Sequence, residues 1–259
     1  MELKLSGKRA VVTGGSKGIG LAIVRALADE GVHVTSVSRT VSKELIDLGD
    51  AVTAVEADLA VPSGALVLAD HAGDVDILVN NVGGGDESQA MNAGFLDIDD
   101  QGWLRTYELN LFATVRVTRA LLPRLLERRG IIINISSIGA RAAFPPVDYG
   151  TAKAALNNLT KALAEEFGPQ GLRALTVTPG PTRTKHWSDP DGYAGQLARA
   201  AGIGLDDFLA AVPQQMGITT GRLTEPDEIA ALVTFLASSR SGNLTGADFL
   251  ADGGVVKSL

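Results

Sequence analysis

The chain has 259 residues, a net charge of −7, 45% hydrophobic residues, 20% charged residues and no cysteine. This composition is typical of a globular protein with a large core, and its negative charge argues against a nucleic-acid surface. The lack of cysteine excludes disulfides, thiolate nucleophiles and cysteine metal sites. No apolar stretch approaches the ~18 residues that cross a bilayer, and no secretory leader precedes the first predicted strand. We therefore expect a cytoplasmic protein with neither a nucleic-acid nor a membrane partner.

Short apolar runs alternate along the chain with longer helical patterns, the clearest of them at 152–163. The predicted strands are near-continuously apolar, as parallel strands covered on both faces are. In chain order they are Arg9–Thr13, Val32–Val37, Val52–Glu56, Ile77–Asn81, Ile131–Ile135, Ala174–Thr178 and Ala247–Leu250. The alternation predicts an α/β fold in a single domain over 1–259, a Rossmann-type doubly wound parallel sheet of about seven strands with helices on both faces. The long connection at 180–216 is predicted to be a lid over the substrate.

A glycine-rich turn, T-G-G-S-K-G-I-G at 13–20, follows the first predicted strand and opens a helix. Glycine allows a tight turn and close backbone approach, and a helix N-terminus offers N–H groups to a pyrophosphate. The spacing is Gly-x-x-x-Gly-x-Gly and not the general Gly-x-Gly-x-x-Gly, so a simple glycine-capped turn is the alternative. The predicted dinucleotide contacts here are Gly14, Ser16, Lys17, Gly18, Ile19 and Gly20.

The residues after the second predicted strand indicate which dinucleotide is bound. An acid there would accept hydrogen bonds from the ribose 2′-hydroxyl and repel a 2′-phosphate. The stretch 31–43 holds no acid but has Ser38 and Arg39, and Lys17 lies in the glycine turn. Two cations and a hydroxyl suit a dianionic phosphate, which predicts NADP(H). The alternative is that both cations are solvated surface residues.

Tyr149 and Lys153 are four residues apart in a predicted helix, so they share one face. A neighbouring ammonium favours phenolate and lowers the tyrosine pKa from ~10, which would allow proton exchange near neutral pH. Ser136 and Ser137 end a predicted strand at the edge where ligands bind, and a hydroxyl there could donate to a carbonyl oxygen. Taken alone, each pair has a plainer explanation, an exposed helical pair or a turn cap.

Together and in this order, these pieces resemble the short-chain dehydrogenase/reductase family over essentially the whole chain. The motifs that carry the resemblance are 13–20, Asp58-Leu59, the N-N-V-G of 80–83, Asn110, the N-I-S-S of 134–137, the Y-G-T-A-K of 149–153, Pro179-Gly180 and the D-G-G of 252–254. The resemblance implies hydride transfer between NADP(H) and a small carbonyl compound or secondary alcohol. It also implies a homo-oligomer, a homotetramer or dimer, and its Tyr-x-x-x-Lys spacing favours carbonyl over enoyl reduction.

The resemblance further implies a role for each site residue. Tyr149 would be the general acid/base, Lys153 its pKa-lowering and ribose-binding partner, and Ser137 the carbonyl-orienting hydroxyl, with Ser136 as the alternative. Asn110 would hold a water that links Lys153 to bulk solvent. The other implied cofactor contacts are Asp58 and Leu59 at the adenine, Asn81, Val82 and Gly83 through their backbone, and Pro179, Gly180, Thr182 and Thr184 at the nicotinamide carboxamide.

The chain departs from the family pattern at three places. Val82 stands where alanine is commoner, the stretch 83–94 is unusually long and glycine-rich, and Ser137 precedes Tyr149 by twelve residues, where thirteen is common. The long stretch is expected to reshape one wall of the active site.

The lid contains the aromatic residues Trp187, Tyr193 and Phe208, and Phe144 precedes the predicted catalytic tyrosine. These residues suggest a mostly apolar pocket for a bulky or hydrophobic carbonyl compound. The alternative is that the aromatic side chains only pack the lid onto the body of the protein.

Two other functions remain open. Arg128-Arg129 at a helix end suggests a 3-oxoacyl carrier-protein reductase, whose acidic carrier needs a basic dock, although such cations also complement a helix dipole. A non-catalytic NADP(H)-sensing binding protein would keep the fold without needing all four catalytic side chains. The three histidines, His33, His71 and His186, have no metal-ligand spacing, so we expect no catalytic metal.

Overall fold

The computed structural model describes residues 2–85 and 94–258. The strands are β1 (Arg9–Thr13), β2 (His33–Ser38), β3 (Val52–Glu56), β4 (Ile77–Asn80), β5 (Ile131–Ile135), β6 (Arg173–Pro179) and β7 (Asp248–Ala251). The helices are α1 (Gly18–Asp29), α2 (Lys43–Ile46), α3 (Pro62–Ala72), α4 (Asp100–Tyr107), α5 (Ala113–Glu127), α6 (Val147–Phe167), α7 (Lys185–Ser188), α8 (Tyr193–Ala201), α9 (Leu205–Gln215) and α10 (Pro226–Ala237). None of the described helices combines the length and apolarity that a bilayer crossing requires.

The seven strands form one parallel sheet in the order β3-β2-β1-β4-β5-β6-β7. The predicted fold class is confirmed, and each predicted strand lies within one residue of an observed strand at both ends. The strand order reverses between β1 and β4, which is where an open α/β sheet leaves a crevice at the carboxyl ends of its strands.

Helices cover both faces of the sheet and explain why its strands are largely apolar. Alternate side chains of one strand enter different cores: Ala10 and Val12 pack in the cluster under α1 and α10, while Val11 packs in the cluster under α3 and α5. Because successive side chains of a strand point to opposite faces, a strand buried on both faces needs apolar residues at every position.

The segment predicted to be a lid, called the lid below, contains three short helices, α7, α8 and α9. Trp187 and Phe208 of the lid pack against a buried cluster that includes Ile138 of the body and Val255 of the C-terminal segment. This packing favours the alternative in which the lid aromatics fix the lid to the body. Tyr193 stays within the lid, stacked on His186 with ring centroids 5.1 Å apart.

Candidate active site

The glycine turn after β1 is shaped by contacts that exclude larger side chains. Gly14 and Gly18 have φ of +70° and +58°, a left-handed conformation that glycine adopts without strain. A Cβ at Gly20 would overlap the carbonyl oxygen of Gly14. Asn81, after β4, donates from Nδ2 to the carbonyls of Thr13 (3.0 Å) and Gly14 (3.1 Å). The predicted residues Gly14, Gly20 and Asn81 therefore form one compact unit.

The first turn of α1 follows this unit directly and suits an anion. Lys17 is the N-cap of α1, and its side chain caps no backbone N–H. The N–H groups at that terminus need acceptors, and the helix dipole favours a negative charge there. Because a tight glycine turn and a helix N-terminus meet here, the residues fit the pyrophosphate of a dinucleotide.

A cavity of about 200 Å³ lies beside the turn and contains part of the predicted phosphate set. It is lined by Ser16, Lys17, Gly18, Leu21, Thr40, Ser42, Glu44 and Lys185. Ser16 hydrogen-bonds to the hydroxyl of Ser38 and donates to the Thr40 carbonyl at 2.5 Å, so Ser38 lies behind Ser16. Arg39 is not among the lining residues.

Five lining residues of this cavity were not predicted as cofactor contacts: Leu21, Thr40, Ser42, Glu44 and Lys185. Glu44 lies one residue beyond the acid-free stretch after β2, in the first turn of α2. Lys185 begins α7 of the lid and reaches the cavity only through the fold, so no local pattern could have indicated it.

The predicted adenine contacts follow β3. The backbone N–H of Ala57 donates to the Ser38 carbonyl (3.0 Å), which joins the ends of β3 and β2. Asp58 accepts from the N–H of Ala60 at 2.9 Å, and the side chain of Leu59 is buried. Asp58 and Leu59 thus lie just after the end of β3, next to the end of β2.

The predicted catalytic residues converge where β5 and α6 meet. After β5 the chain forms a short 3₁₀ turn, Ile138–Ala140, whose N–H at Gly139 donates to the Ser137 hydroxyl at 3.2 Å. A Cβ at Gly150 would lie 2.8 Å from the Gly139 carbonyl oxygen, so glycine at 150 allows this turn to close on α6. The closure brings the Ser137 side chain close enough to Tyr149 for its hydroxyl to lower the pKa of the phenol.

The neighbouring serine is directed elsewhere. Ser136 is buried, and its hydroxyl donates to the backbone carbonyl of Lys153 at 3.4 Å. Of the two serines, Ser137 is the one that lies close to Tyr149. This placement favours Ser137 over Ser136 as the carbonyl-orienting hydroxyl, and the assignment stays a prediction.

Lys153 and Asn110 meet over Gly83. The Lys153 side chain is buried, and its Nζ donates to the Ile135 carbonyl (3.0 Å) and lies 5.8 Å from the centre of the Tyr149 ring. A Cβ at Gly83 would lie 2.8 Å from Asn110 Oδ1 and 2.9 Å from Lys153 Nζ. Glycine at this position therefore leaves room for both polar groups.

Asn110 is held in place by the backbone around it. It lies in a π-helical segment, Glu108–Phe112, between α4 and α5, and such segments often occur at functional sites. Its Nδ2 donates to the carbonyls of Gly84 (2.8 Å) and Thr106 (2.9 Å), and its Oδ1 accepts from the Gly84 N–H at 3.0 Å.

Burial dominates the ionisation of both titratable site residues. It raises the pKa of Tyr149, and the Ser137 hydrogen bond offsets only part of that rise. It lowers the pKa of Lys153 to about 8. Within the protein itself the balance is thus opposite to the expected lowering of the Tyr149 pKa by Lys153. The largest cause of the rise is desolvation of the buried phenol, and the Lys153 ammonium group donates to the Ile135 carbonyl.

A buried carboxylate next to the tyrosine also escaped the sequence reasoning. Asp148 is 1% exposed; it accepts the Tyr149 N–H at 2.9 Å and the Thr106 hydroxyl at 2.6 Å. Thr106 in turn accepts from Asn110 through its carbonyl. Asp148 and Thr106 are far apart in the chain, and an acid directly before Tyr149 was the only signal.

The segment after β6 lies close to the glycine turn. Pro179 ends β6, the Gly180 N–H donates to the Ala251 carbonyl (3.1 Å), and the Thr182 hydroxyl donates to the Gly180 carbonyl (2.9 Å). A Cβ at Gly18 would lie 3.2 Å from the Thr184 methyl carbon. The predicted nicotinamide residues therefore approach the turn from the lid side.

Two expectations from the sequence are not tested by this geometry. Most of the long stretch at 83–94 falls in 86–93, outside the described residues. Within the described ranges, no three His, Cys, Asp or Glu side chains group as metal ligands would, and the absence of a catalytic metal stays a prediction.

The chain is similar to several proteins of known name. The sequence model of a family described as enoyl-(acyl carrier protein) reductase matches residues 14–256. The chain is 32% identical to 2-keto-3-deoxy-L-fuconate dehydrogenase of Xanthomonas campestris, over 97% of this chain and 81% of that one. It is also 32% identical to L-xylulose reductase of Bos taurus, over 98% of both chains. L-sorbose reductase from Gluconobacter frateurii, solved with NADPH and L-sorbose, aligns over 100% of both chains with 33% identity and a TM-score of 0.90.

Proposed function

Because the chain belongs to the short-chain dehydrogenase/reductase family, enzymes acting on CH–OH and C=O groups, we propose that it interconverts a small polyhydroxylated ketone and its secondary alcohol with NADP(H). The observation that carries the proposal is the meeting of Tyr149, Ser137 and Lys153 at the carboxyl edge of the sheet, beside the glycine turn. Such a set can protonate an oxygen and stabilise charge on it.

The protonation state of the Tyr149 phenol decides whether it can donate a proton to the substrate. NADPH, when bound, supplies the hydride that adds to the carbonyl carbon. Burial raises the pKa of Tyr149, so its phenol is protonated at neutral pH and can donate the proton to the carbonyl oxygen. Ser137, already in contact with that phenol, donates to the same oxygen and stabilises the negative charge that develops there. Tyr149 is thus in the protonated form that carbonyl reduction requires.

Lys153 and Asn110 support proton resupply. Lys153, with a pKa of about 8, keeps most of its charge at neutral pH while lying against Tyr149 on one side and Asn110 on the other. Three hydrogen bonds to backbone groups fix the side chain of Asn110. Asn110 would therefore be a rigid end of the proposed proton relay. In this arrangement Lys153 also remains able to bind ribose hydroxyls.

The proposal of NADP(H) over NAD(H) rests on the cavity beside the turn. Lys17 and Lys185 supply two cations that line the cavity, and such a pair of cations suits a phosphate. The structural neighbour L-sorbose reductase was solved with NADPH, which supports the same choice. Glu44 is the opposing feature of the cavity.

The proposed substrate class is supported by the relatives and by the lid. The named relatives act on L-xylulose, L-sorbose and a 2-keto-3-deoxy sugar acid. The lid residues Trp187 and Phe208 are engaged in packing, which weakens the case for an apolar pocket.

A substrate panel tests the proposal directly. Purified protein with NADPH would be offered L-xylulose, L-sorbose and other ketoses, alongside aliphatic and aromatic ketones of similar size. We expect the highest kcat/KM for a ketose. Selective turnover of the hydrophobic ketones would support the apolar pocket and overturn the polyhydroxylated class.

A second candidate, 3-oxoacyl carrier-protein reductase, is favoured by a basic pocket at the opposite edge of the sheet. This cavity of about 310 Å³ is lined by, among others, Lys4, Lys8, Arg128, Arg129, Arg173 and Asp76. Asp76 already pairs with Lys8 (3.0 Å) and Arg128 (3.2 Å), which reduces the charge left for an acidic carrier. Faster reduction of a carrier-linked 3-oxoacyl group than of any ketose would favour this candidate.

Two further expectations stay proposals. Assembly as a dimer or tetramer is implied by the family resemblance, and sedimentation would measure it. A non-catalytic NADP(H)-binding role would be supported if the protein bound NADPH and reduced no carbonyl compound in the panel.

A further inference from the structure

The cavity beside the glycine turn is shared between the body and the lid. Lys17 comes from the turn after β1, Glu44 from the first turn of α2, and Lys185 from the first residue of the lid helix α7. The lid is in contact with the turn here, because a Cβ at Gly18 would lie 3.2 Å from the Thr184 methyl carbon. One small volume therefore joins three distant parts of the chain.

The charged side chains that line this cavity form no hydrogen bond or ion pair with one another. Lys17, Lys185 and Glu44 form neither a hydrogen bond nor an ion pair through their side chains with any described residue. The positive charge of Lys17 is nevertheless felt in the lid, where burial and, to a smaller extent, that charge lower the pKa of His186. Two ammonium groups that line one cavity repel each other unless an anion lies between them.

The position of the cavity indicates which anion would fit. Thr40, Ser42 and Glu44 all follow β2, the strand whose end meets the adenosine ribose in dinucleotide-binding sheets. Thr40 and Ser42 add hydroxyl groups beside the two cations, whereas the Ser16 hydroxyl already donates to the Thr40 carbonyl. A phosphate on the ribose 2′-oxygen has the charge and the acceptor oxygens to satisfy this set.

Resting on the proposed use of NADP(H), we propose that Lys185 binds the cofactor 2′-phosphate from the lid side, opposite Lys17. The phosphorylated cofactor then draws α7 onto the glycine turn, and a cofactor without that phosphate does not. Glu44 lies in the same cavity and weakens phosphate binding by repulsion. The cofactor is therefore bound less tightly and dissociates more readily. Lys185 is thereby a specificity-determining residue that no motif of the sequence indicates.

The contact would be transmitted to the catalytic serine through packing. Trp187, two residues after Lys185, packs against the cluster that contains Ile138, the residue that follows Ser137. A movement of the lid towards the turn would therefore shift the packing around Ile138, next to Ser137. Loss of the Lys185 contact should consequently affect kcat as well as cofactor affinity.

Calorimetric titration of Lys185→Ala with NADPH, NADH, 2′,5′-ADP and 5′-AMP tests the inference. A charge-assisted hydrogen bond to a partly exposed group is worth about one factor of ten in affinity, 1.4 kcal/mol. We expect NADPH and 2′,5′-ADP to bind Lys185→Ala about tenfold more weakly than wild type, with NADH and 5′-AMP unchanged within about twofold. Glu44→Gln should bind NADPH and 2′,5′-ADP more tightly.

Lys43→Ala is the matched control. Lys43 adjoins Glu44 in α2 but pairs with Asp47 at 2.7 Å and does not line the cavity. Its affinities for all four ligands should stay at the wild-type values. A general loss of positive charge would instead weaken NADPH binding in both lysine variants.

Three outcomes would overturn the inference and separate it from the proposed function. Equal weakening of NADPH and NADH in Lys185→Ala would place Lys185 at the pyrophosphate that both cofactors share. Unchanged NADPH affinity would show that the lid lysine does not contact the cofactor, while the wild-type preference for NADPH would leave the proposed function intact. A wild-type protein that prefers NADH would contradict the proposed cofactor itself.

Discussion

Gly83→Ala places a methyl group between the two buried polar ends on which the proposed proton relay depends. The new Cβ would lie 2.8 Å from Asn110 Oδ1, 2.9 Å from Lys153 Nζ and 3.5 Å from Lys153 Cε. Comfortable contacts of a carbon atom are about 3.5 Å or longer, so the first two contacts are too short by about 0.6–0.7 Å. Gly83 has no left-handed φ, and the effect of the substitution is therefore one of packing.

The methyl group should move Lys153 more than Asn110. Asn110 is held by three hydrogen bonds to backbone groups, whereas Lys153 Nζ has one, to the Ile135 carbonyl. Overpacking of this kind costs about 1–3 kcal/mol of unfolding free energy. A misplacement of about 1 Å at a reacting centre can cost about 100-fold in rate. We therefore expect kcat/KM to fall about 10- to 100-fold, with a modest loss of stability.

The assay is NADPH-dependent ketose reduction, measured together with NADPH affinity and urea unfolding. Gly168→Ala is the matched control, because Gly168 has a helical φ of −54° and no atom within 4 Å of an added Cβ. That variant should have wild-type activity. If folded Gly83→Ala kept kcat/KM within about twofold of wild type, the close meeting of Lys153 and Asn110 would not matter for turnover.

Three other predictions concern the serine pair, the buried lysine and the buried carboxylate. Ser137→Ala should lower kcat/KM about 100-fold by removing a donor to the developing oxyanion, whereas Ser136→Ala should change it about threefold or less; equal losses in steady-state kinetics would contradict the geometry. The pKa of Lys153 is about 8 in the folded protein against 10.5 for a free lysine, so the unfolded state binds more protons between these values. Wild type should therefore gain stability relative to Lys153→Met as the pH rises from 8 towards 10, by up to about 1.4 kcal/mol per pH unit. A difference in unfolding free energy between the two proteins that stays constant with pH, measured by urea unfolding, would argue against burial of the charge. Thr106→Val leaves the Asp148 carboxylate without its hydroxyl donor and should cost about 1–3 kcal/mol of unfolding free energy; Thr106→Ser should restore it, and equal stability of the two variants would refute that role.

The fold could be predicted from the sequence because its strands are buried on both faces. A nearly continuous apolar run such as Ile131–Ile135, interrupted only by Asn134, is typical of a strand covered on both faces, and the structure buries all five of its residues. The meeting of Tyr149 and Lys153 was equally accessible, since a spacing of four places them on one helix face.

Other features of the site depend on distances that sequence spacing does not encode. Lys185 joins Lys17 and Glu44 only because the lid folds over the glycine turn. The choice of Ser137 over Ser136 depends on the 3₁₀ turn after β5 and on its close approach to α6. Such contacts arise from tertiary packing, which local patterns specify only weakly.

The direction of the Tyr149 pKa shift illustrates a different limit. The sequence shows that a lysine stands one helical turn away, and this alone predicts a lowered pKa. Whether desolvation outweighs the ammonium depends on how deeply both groups are buried, and in the structure burial has the larger effect. Charge partners can be found by spacing, whereas burial has to be observed.

The most direct test of the central claim is a transfer experiment with NADPH deuterated at the nicotinamide C4 and a ketose as acceptor. Mass spectrometry of the product should find deuterium on the new carbinol carbon with wild type. Tyr149→Phe should bind NADPH with unchanged affinity and transfer about 10²- to 10⁴-fold more slowly. Product without deuterium, or Tyr149→Phe that transfers as fast as wild type, would contradict hydride transfer with Tyr149 as the proton donor.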